Sequence, residues 1–179
     1  MKFSSYSCLI LIVSALIYPL FGHWAWNSLW ANASSAPLDG FSGGWLESLG
    51  FVDFAGSTGV HSLGGWAALA AVLHLGPRRG RFTPNSPPQQ IPGANVPVAT
   101  LGVFLLFFGW FGFNGGSTLT FSPLIVGIVM NTLLAGAAGM LTAMLISWER
   151  NKHTNVFDSI NGLLAGLVAI TAGCFAVST

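Results

Sequence analysis

Apolar residues of this chain fall into five long runs that are separated by polar segments. Each run is about long enough to cross a bilayer as a helix, since about 20 apolar residues span the hydrocarbon core. The five predicted spans cover residues 3–26, 53–75, 96–113, 123–148 and 156–177. The segments between them contain Gly, Pro, Ser and Asn, which are typical of turns. The pattern therefore predicts one all-α membrane unit over residues 1–179.

Composition supports a protein that lies in the lipid bilayer. Of 179 residues, 53% are hydrophobic and only 6% are charged, against roughly 25% charged in an average soluble domain. The mean hydropathy is +0.68, and no Lys, Arg, Asp or Glu occurs from Phe82 to Trp148. A net charge of +1 gives no electrostatic basis for binding nucleic acid. We therefore predict an integral membrane protein with no nucleic-acid partner.

Basic residues indicate how the spans are oriented. If the five spans alternate in direction, every basic residue falls on the same side of the membrane. These residues are Lys2, Arg78, Arg79, Arg81, Arg150 and Lys152. By the positive-inside rule, that side is cytoplasmic. We therefore expect a multi-pass protein of the cell membrane with the Lys2, Arg78–Arg81 and Arg150–Lys152 ends in the cytoplasm.

The first apolar run begins like a secretory signal but continues through YPLFGHWAW, which favours a retained span. Pro19 within this run removes a backbone hydrogen bond, so we expect a kink there. Small residues later in the chain predict close helix packing. They include Gly136 and Gly139, three residues apart, and Gly162 and Gly166, four residues apart.

Few residues carry candidate chemistry. Cys8 and Cys174 lie far apart without metal-ligand spacing, so no disulfide, metal site or cofactor is predicted. A helix that begins at Asp53 would place His61 about 12 Å below its start, near the middle of the membrane. An ionisable side chain at that depth indicates a pathway or a proton relay, although a satisfied core histidine is the alternative. For Asp53 we favour capping of the helix start over direct chemistry.

Four motifs give the chain a family resemblance. They are YPLFGHWAW, DFAGSTGVH with the GPRRGRF that follows it, LGVFLLFFGWFGFNGGS, and NGLLAGLVAITAGC. Together they resemble the ammonium transporter family (Amt/Mep/Rh) over almost the whole chain. The resemblance implies about eleven helices in two inverted five-helix halves, a homotrimer with one pore per subunit, ammonium or ammonia as substrate, and a possible cytosolic PII-type regulator.

The resemblance also implies roles for single residues. Trp26 and Ser117 fall on the positions that recruit the cation at an external vestibule, where an indole face and a hydroxyl suit NH4+. Phe113 falls on a gating phenyl ring, and Trp110 falls on a nearby pore-lining position. His61 falls on the first of two pore histidines. Without the resemblance, Trp26 would be interpreted as an interfacial anchor and FFGWFGF as an aromatic belt or core stripe.

The implied mechanism removes a proton at the vestibule, passes neutral NH3 down the pore and returns the proton by way of the histidine pair. Asp53 falls on an acidic position that holds the vestibule in shape, which agrees with the capping role. The pattern departs from the family at Gly59, where a branched apolar residue is usual. The chain also corresponds only to the fourth to eighth helices, so we expect a fragment that lacks the second pore histidine.

Three other functions are weighed against transport. The first is an ammonium-sensing membrane domain of a signalling protein, because pore helices alone do not distinguish conduction from detection. The second is a non-conducting fragment, which the absent second histidine would explain. The third is an intramembrane enzyme, but Ser117, His61 and Asp53 lie too far apart in predicted depth for a triad. We therefore predict no enzymatic activity.

Overall fold

The computed structural model describes residues 2–33, 44–89 and 91–178, and all regular secondary structure in these ranges is helical. The all-α fold that the hydropathy pattern predicts is confirmed for these residues. They form two compact units. The first unit comprises Met1–Val52 and Thr58–Pro92, and the second comprises Asp53–Ser57 and Gly93–Thr179.

Three helical stretches in the described ranges are long and apolar enough to cross a membrane. They are Phe3–Ser28, Val96–Gly116 and Leu124–Asn151, and they correspond to the first, third and fourth predicted spans. The fifth predicted span contains a shorter apolar helix of 15 residues, Val156–Ile170. This arrangement fits a multi-pass membrane protein.

In the part of the first unit that the structure describes, there are four α-helices and a π-helical turn between the first two. The helices are α1 (Phe3–Ile12), α2 (Tyr18–Ala33), α3 (Trp45–Ser48) and α4 (Leu63–Leu75). The turn Val13–Ile17 ends where the Tyr18 amide donates to the Val13 carbonyl. Pro19, which has no amide hydrogen to donate, follows at once. Further along, α2 is kinked at Trp26, whose φ of −136° and ψ of 19° are not helical.

The second predicted span begins later than its hydropathy indicates. The prediction of a helix from Asp53 is wrong, because residues 51–56 are not helical and the first helical residue is Ser57. The physical reason lies partly in Gly56, whose φ of +105° is open to glycine and strongly unfavourable for other residues. A π-helical turn, Ser57–Ser62, then leads into α4.

The second unit is a three-helix arrangement of α5 (Val96–Gly116), α6 (Leu124–Asn151) and α7 (Val156–Ile170). Asn95 caps α5 by accepting from the Val98 amide at 3.0 Å, and Asn155 caps α7 by accepting from the Phe157 amide at 2.9 Å. One apolar cluster of buried side chains lies among these helices. It consists of Val103, Ile160, Leu163 and Leu167.

Glycines allow α6 and α7 to pack backbone against backbone. A Cβ atom built at Gly139 would overlap the Gly162 carbonyl, and one built at Gly166 would overlap the Ala135 carbonyl. Such contacts leave no room for a side chain. The close packing predicted from the small residues is therefore present, and it depends on dispersion between backbones where lipid provides no hydrophobic drive.

We expect the Gly166→Leu variant to be destabilised because its side chain would force α6 and α7 apart. Overpacking costs about 1–3 kcal/mol, so the melting temperature in detergent should fall by several degrees. Ala165→Leu is the matched control, because Ala165 is the exposed neighbour on the same helix. Equal melting temperatures for the two variants would contradict the packing account.

Glu47 connects α3 to α2 within the first unit. Its carboxylate accepts from the Gly44 amide at 2.6 Å, from the Ser28 amide at 3.1 Å and from the Ser28 hydroxyl at 2.5 Å. Partial burial acts to raise the pKa of Glu47, but these hydrogen bonds outweigh it and hold the pKa below its ordinary value. The ionised carboxylate therefore stabilises the junction of the two helices.

The Glu47→Gln substitution should lower stability at pH 7, because a neutral amide accepts these bonds less strongly. We expect a loss on the order of 1 kcal/mol, or about 2–4 °C in melting temperature. A lowered pKa makes this contribution present above the unfolded pKa and removes it as the pH falls through the folded pKa. The parent and the variant should therefore converge towards pH 3. The exposed Glu149→Gln variant serves as the control, and a gap that does not change with pH would contradict the role of the charge.

Candidate functional site

Trp26 lies among aromatic rings in the first unit. Tyr18 and Phe21 each approach its indole edge-on, with ring centroids 6.3 Å away. Phe21 in turn meets Phe51 at 6.4 Å. Such edge-to-face pairs fix the orientation of an aromatic ring more firmly than apolar packing alone. The half-buried indole is therefore held in a defined position at the kink of α2.

His61 is half-buried in the π-helical turn Ser57–Ser62. Turns of this kind are rare in proteins, and those that occur are often found at functional sites. Gly59, two residues earlier in the same turn, is buried. A Cβ atom at Gly59 would overlap Cη2 of Trp26 and would lie 3.0 Å from Cε1 of Phe21. The departure at Gly59 that the sequence shows therefore has a structural counterpart, since the indole occupies the space of a side chain.

A groove of about 530 Å³ runs between α2 and α4 in the first unit. Its lining residues are apolar apart from the hydroxyls of Thr58 and Ser62 and the indole nitrogens of Trp24 and Trp66. Neither Trp26 nor His61 lines it. The groove therefore has the character of a helix-packing surface rather than that of a cation site.

Asp53 lies in the second unit and is buried. Its Oδ1 atom accepts from the Gly56 amide at 3.0 Å, so the carboxylate closes a turn ahead of the helical residues that begin at Ser57. This bond gives the side chain a structural role, and capping of the helix start stays a prediction. This turn shapes the segment that leads towards His61.

The segment from Asp53 to Ser57 is bonded to the end of α7. The Phe54 and Ala55 amides donate to the Ala172 and Thr171 carbonyls at 3.0 and 3.2 Å. The Ser57 hydroxyl donates to the Val168 carbonyl at 2.6 Å and accepts from the Ala172 amide at 2.7 Å. These bonds satisfy polar backbone groups of a largely buried segment.

Trp110, Phe113 and Ser117 all lie at the end of α5. The Trp110 indole nitrogen donates to the Thr171 hydroxyl at 2.8 Å, and that hydroxyl donates to the Leu167 carbonyl at 2.6 Å. The ring centroids of Trp110 and Phe113 are 6.0 Å apart. The Ser117 hydroxyl donates to the Phe113 carbonyl at 2.8 Å, which leaves its oxygen lone pairs as acceptors.

Several buried polar residues of the second unit were given no role from the sequence. Asn114 is fully buried and donates to the Thr132 hydroxyl at 3.0 Å. Asn131 donates to the Cys174 and Val177 carbonyls, both at 2.9 Å. Thr171 is fully buried beside Trp110. Polar side chains inside apolar runs could have indicated these residues. Within a bilayer such side chains are usually paired with hydrogen-bonding groups of the protein.

The six predicted site residues are distributed over both units. Trp26 and His61 belong to the first unit. The other four, Asp53, Trp110, Phe113 and Ser117, belong to the second unit, where the last three share one helix end. The second unit therefore brings together an acceptor hydroxyl and two aromatic rings, while the first unit holds an indole and an imidazole on adjoining segments.

Comparison with known proteins identifies the family. The model of the Ammonium Transporter Family matches residues 1–179. The chain is 51% identical over 174 residues to ammonium transporter Amt2 of Archaeoglobus fulgidus, covering 97% of this chain and 36% of that protein. It thus spans about a third of the length of the curated relatives that it matches.

Solved structures agree with this match. A structure titled Sensor Amt Protein superimposes with a TM-score of 0.83 at 44% identity, covering 93% of this chain and 39% of that one. Mep2 of Candida albicans superimposes with a TM-score of 0.79 at 34% identity, covering 97% of this chain and 35% of that one. With a family model that matches from the first residue to the last, the chain belongs to the Ammonium Transporter Family.

Proposed function

We propose that this chain forms part of the pore of a transmembrane ammonium transporter. The observation that carries the proposal is the family match over residues 1–179. The matched relatives span about three times the length of this chain. We therefore propose that the residues act together with further helices of an eleven-helix subunit.

Recruitment of NH4+ is assigned to Trp26 and Ser117. An indole face attracts a small cation through the ring quadrupole. The edge-on Tyr18 and Phe21 rings stabilise one orientation of that indole. The Ser117 hydroxyl uses its proton on the Phe113 carbonyl, so its oxygen can accept a hydrogen bond from the cation. Each of the two groups attracts a small cation in a different way.

Gating and pore lining are assigned to Phe113 and Trp110. The bond from Trp110 to Thr171 fixes the indole against α7, and the Phe113 ring packs 6.0 Å from it. A cation that is stripped of water finds few ligands among such rings, whereas neutral NH3 passes at lower cost. The proposed mechanism therefore removes the proton before the gate. Asp53 keeps the neighbouring turn in shape through its bond to the Gly56 amide.

Proton return is assigned to His61. A neutral imidazole has one donor nitrogen and one acceptor nitrogen, so it can take a proton on one side and release it on the other. The second histidine of the relay is expected outside these 179 residues. We further propose a homotrimer and a cytosolic PII-type regulator, with the Lys2, Arg78–Arg81 and Arg150–Lys152 ends in the cytoplasm.

The sensing alternative is not favoured. One matched structure is titled a sensor, but the family model and the matched relatives are named as transporters. The alternative of a non-conducting fragment is tested directly by the replacement described next.

The test uses a chimera in which residues 1–179 replace the matching third of Archaeoglobus fulgidus Amt2. We expect the chimera to take up labelled methylammonium when it is expressed in cells without their own transporters. The His61→Ala variant should lower the rate by about 10²-fold, because a proton-transfer group contributes that much or more. His74→Ala, at the end of α4, is the control. A chimera that reaches the membrane but takes up nothing would contradict transport by this chain.

A Trp26→Ala variant of the same chimera should lose recruitment rather than conduction. Loss of a cation–π contact of about 0.5–2 kcal/mol corresponds to roughly a 2- to 30-fold higher KM for methylammonium, with a smaller change in the maximal rate. Trp66→Ala is the control, because Trp66 is exposed on α4. An unchanged KM in the Trp26→Ala variant would refute the recruiting role.

A further inference from the structure

Gly59 lies where the chain leaves no space for any side chain. A Cβ atom built there would overlap Cη2 of Trp26, lie 2.9 Å from Cζ2 of the same ring and lie 3.0 Å from Cε1 of Phe21. Cβ atoms essentially never approach other atoms within 3.0 Å, so a substitution must displace something. The atom to be displaced belongs to the ring that is proposed to recruit the cation.

The contact involves one particular edge of the indole. Cη2 and Cζ2 are at the far edge of the six-membered ring, so the bare backbone at Gly59 is the surface on which that edge rests. Phe21 closes the position from another side, with its ring at 78° to the indole. The ring is therefore positioned by Gly59 and Phe21 together, and a larger residue at 59 would lift it off the turn.

The same turn carries His61. Gly59 and His61 are two residues apart in the π-helical turn Ser57–Ser62. Trp26 meets the turn at Gly59, so the recruiting ring and the histidine are mechanically coupled through one short segment. A π-helical turn holds an extra residue per turn and is often found at functional sites.

We propose that Gly59 is a positioning residue for ammonium recruitment. Because residue 59 has no side chain, the Trp26 indole can pack against the turn that carries His61. The resulting position of the ring determines how closely a small cation approaches its face. Cation–π attraction requires the cation within about 6 Å of the ring centroid, so displacement of the ring weakens recruitment. The inference rests on the proposed transport function.

The first test compares the Gly59→Ala and Gly22→Ala variants of the Amt2 chimera with the parent chimera. Gly59→Ala should raise the KM for methylammonium about five- to tenfold, with a smaller change in the maximal rate. Gly22→Ala is the matched control, because its Cβ would lie at an ordinary 3.7 Å from Cε3 of the same indole, and its KM should stay within about twofold of the parent. A merely structural defect would lower the maximal rate through the amount of protein and leave KM unchanged.

A double-mutant cycle isolates the contact. Trp26→Phe shortens the ring so that it no longer reaches the position of Cη2. In that background, Gly59→Ala should change KM by less than about twofold, which gives a coupling that independent sites do not show. If Gly59→Ala alone fails to accumulate in the membrane, the double variant should restore it. Failure of that rescue would overturn the proposal.

An electron cryo-microscopy map of the Gly59→Ala chimera provides a readout that does not depend on uptake. The indole of Trp26 should shift from its position in the parent chimera. An unmoved indole, an unchanged KM, or equal effects of Gly59→Ala in the Trp26 and Trp26→Phe backgrounds would each overturn the proposal. If the parent chimera transports nothing, the transport proposal fails separately, and the map still tests whether Gly59 positions the ring.

Discussion

The second unit depends on the hydrogen bonds made at the end of α7. The helix stops at Ile170, and several of the carbonyls and amides that follow are paired with other segments. The backbone of Phe54 and Ala55 and the side chains of Ser57 and Asn131 bond to residues 168–177. In a lipid environment every one of these backbone groups must have a partner. The non-helical approach to the His61 turn is therefore possible because the end of α7 is also non-helical.

The same end of α7 positions an aromatic side chain of α5. Thr171 accepts from the Trp110 indole and donates back to its own helix, so the position of the ring follows the position of α7. The glycines that bring α6 and α7 into backbone contact fix α7 in turn. A change in helix packing deep in the unit is thus expected to reach the proposed gate without touching it. Small residues and buried hydroxyls therefore contribute to the proposed function by positioning the aromatic side chains.

The sequence alone predicted the helical class, five apolar spans and the close glycine packing, because each depends on local composition. Three of those spans contain long apolar helices in the described residues. The sequence did not predict that the second span starts at Ser57 or that α7 ends at Ile170, since both ends are determined by pairing between segments distant in the chain. The site residues came from motif resemblance, which names Trp26 and Ser117 but says nothing of their supports. The roles of Thr171 and Asn114 follow from their hydrogen bonds, and the role of Gly59 follows from its contact with the Trp26 ring. These contacts join segments that are distant in the sequence.

The central proposal is that these 179 residues form part of the ammonium-conducting pore of a transporter. Purified Amt2 chimera in proteoliposomes, loaded with a pH-sensitive dye and exposed to an ammonium gradient, tests it most directly. The account predicts a saturable response above that of empty vesicles, which methylammonium reduces by competition. A response that is no larger than that of empty vesicles, from a chimera shown to be folded and inserted, would contradict it.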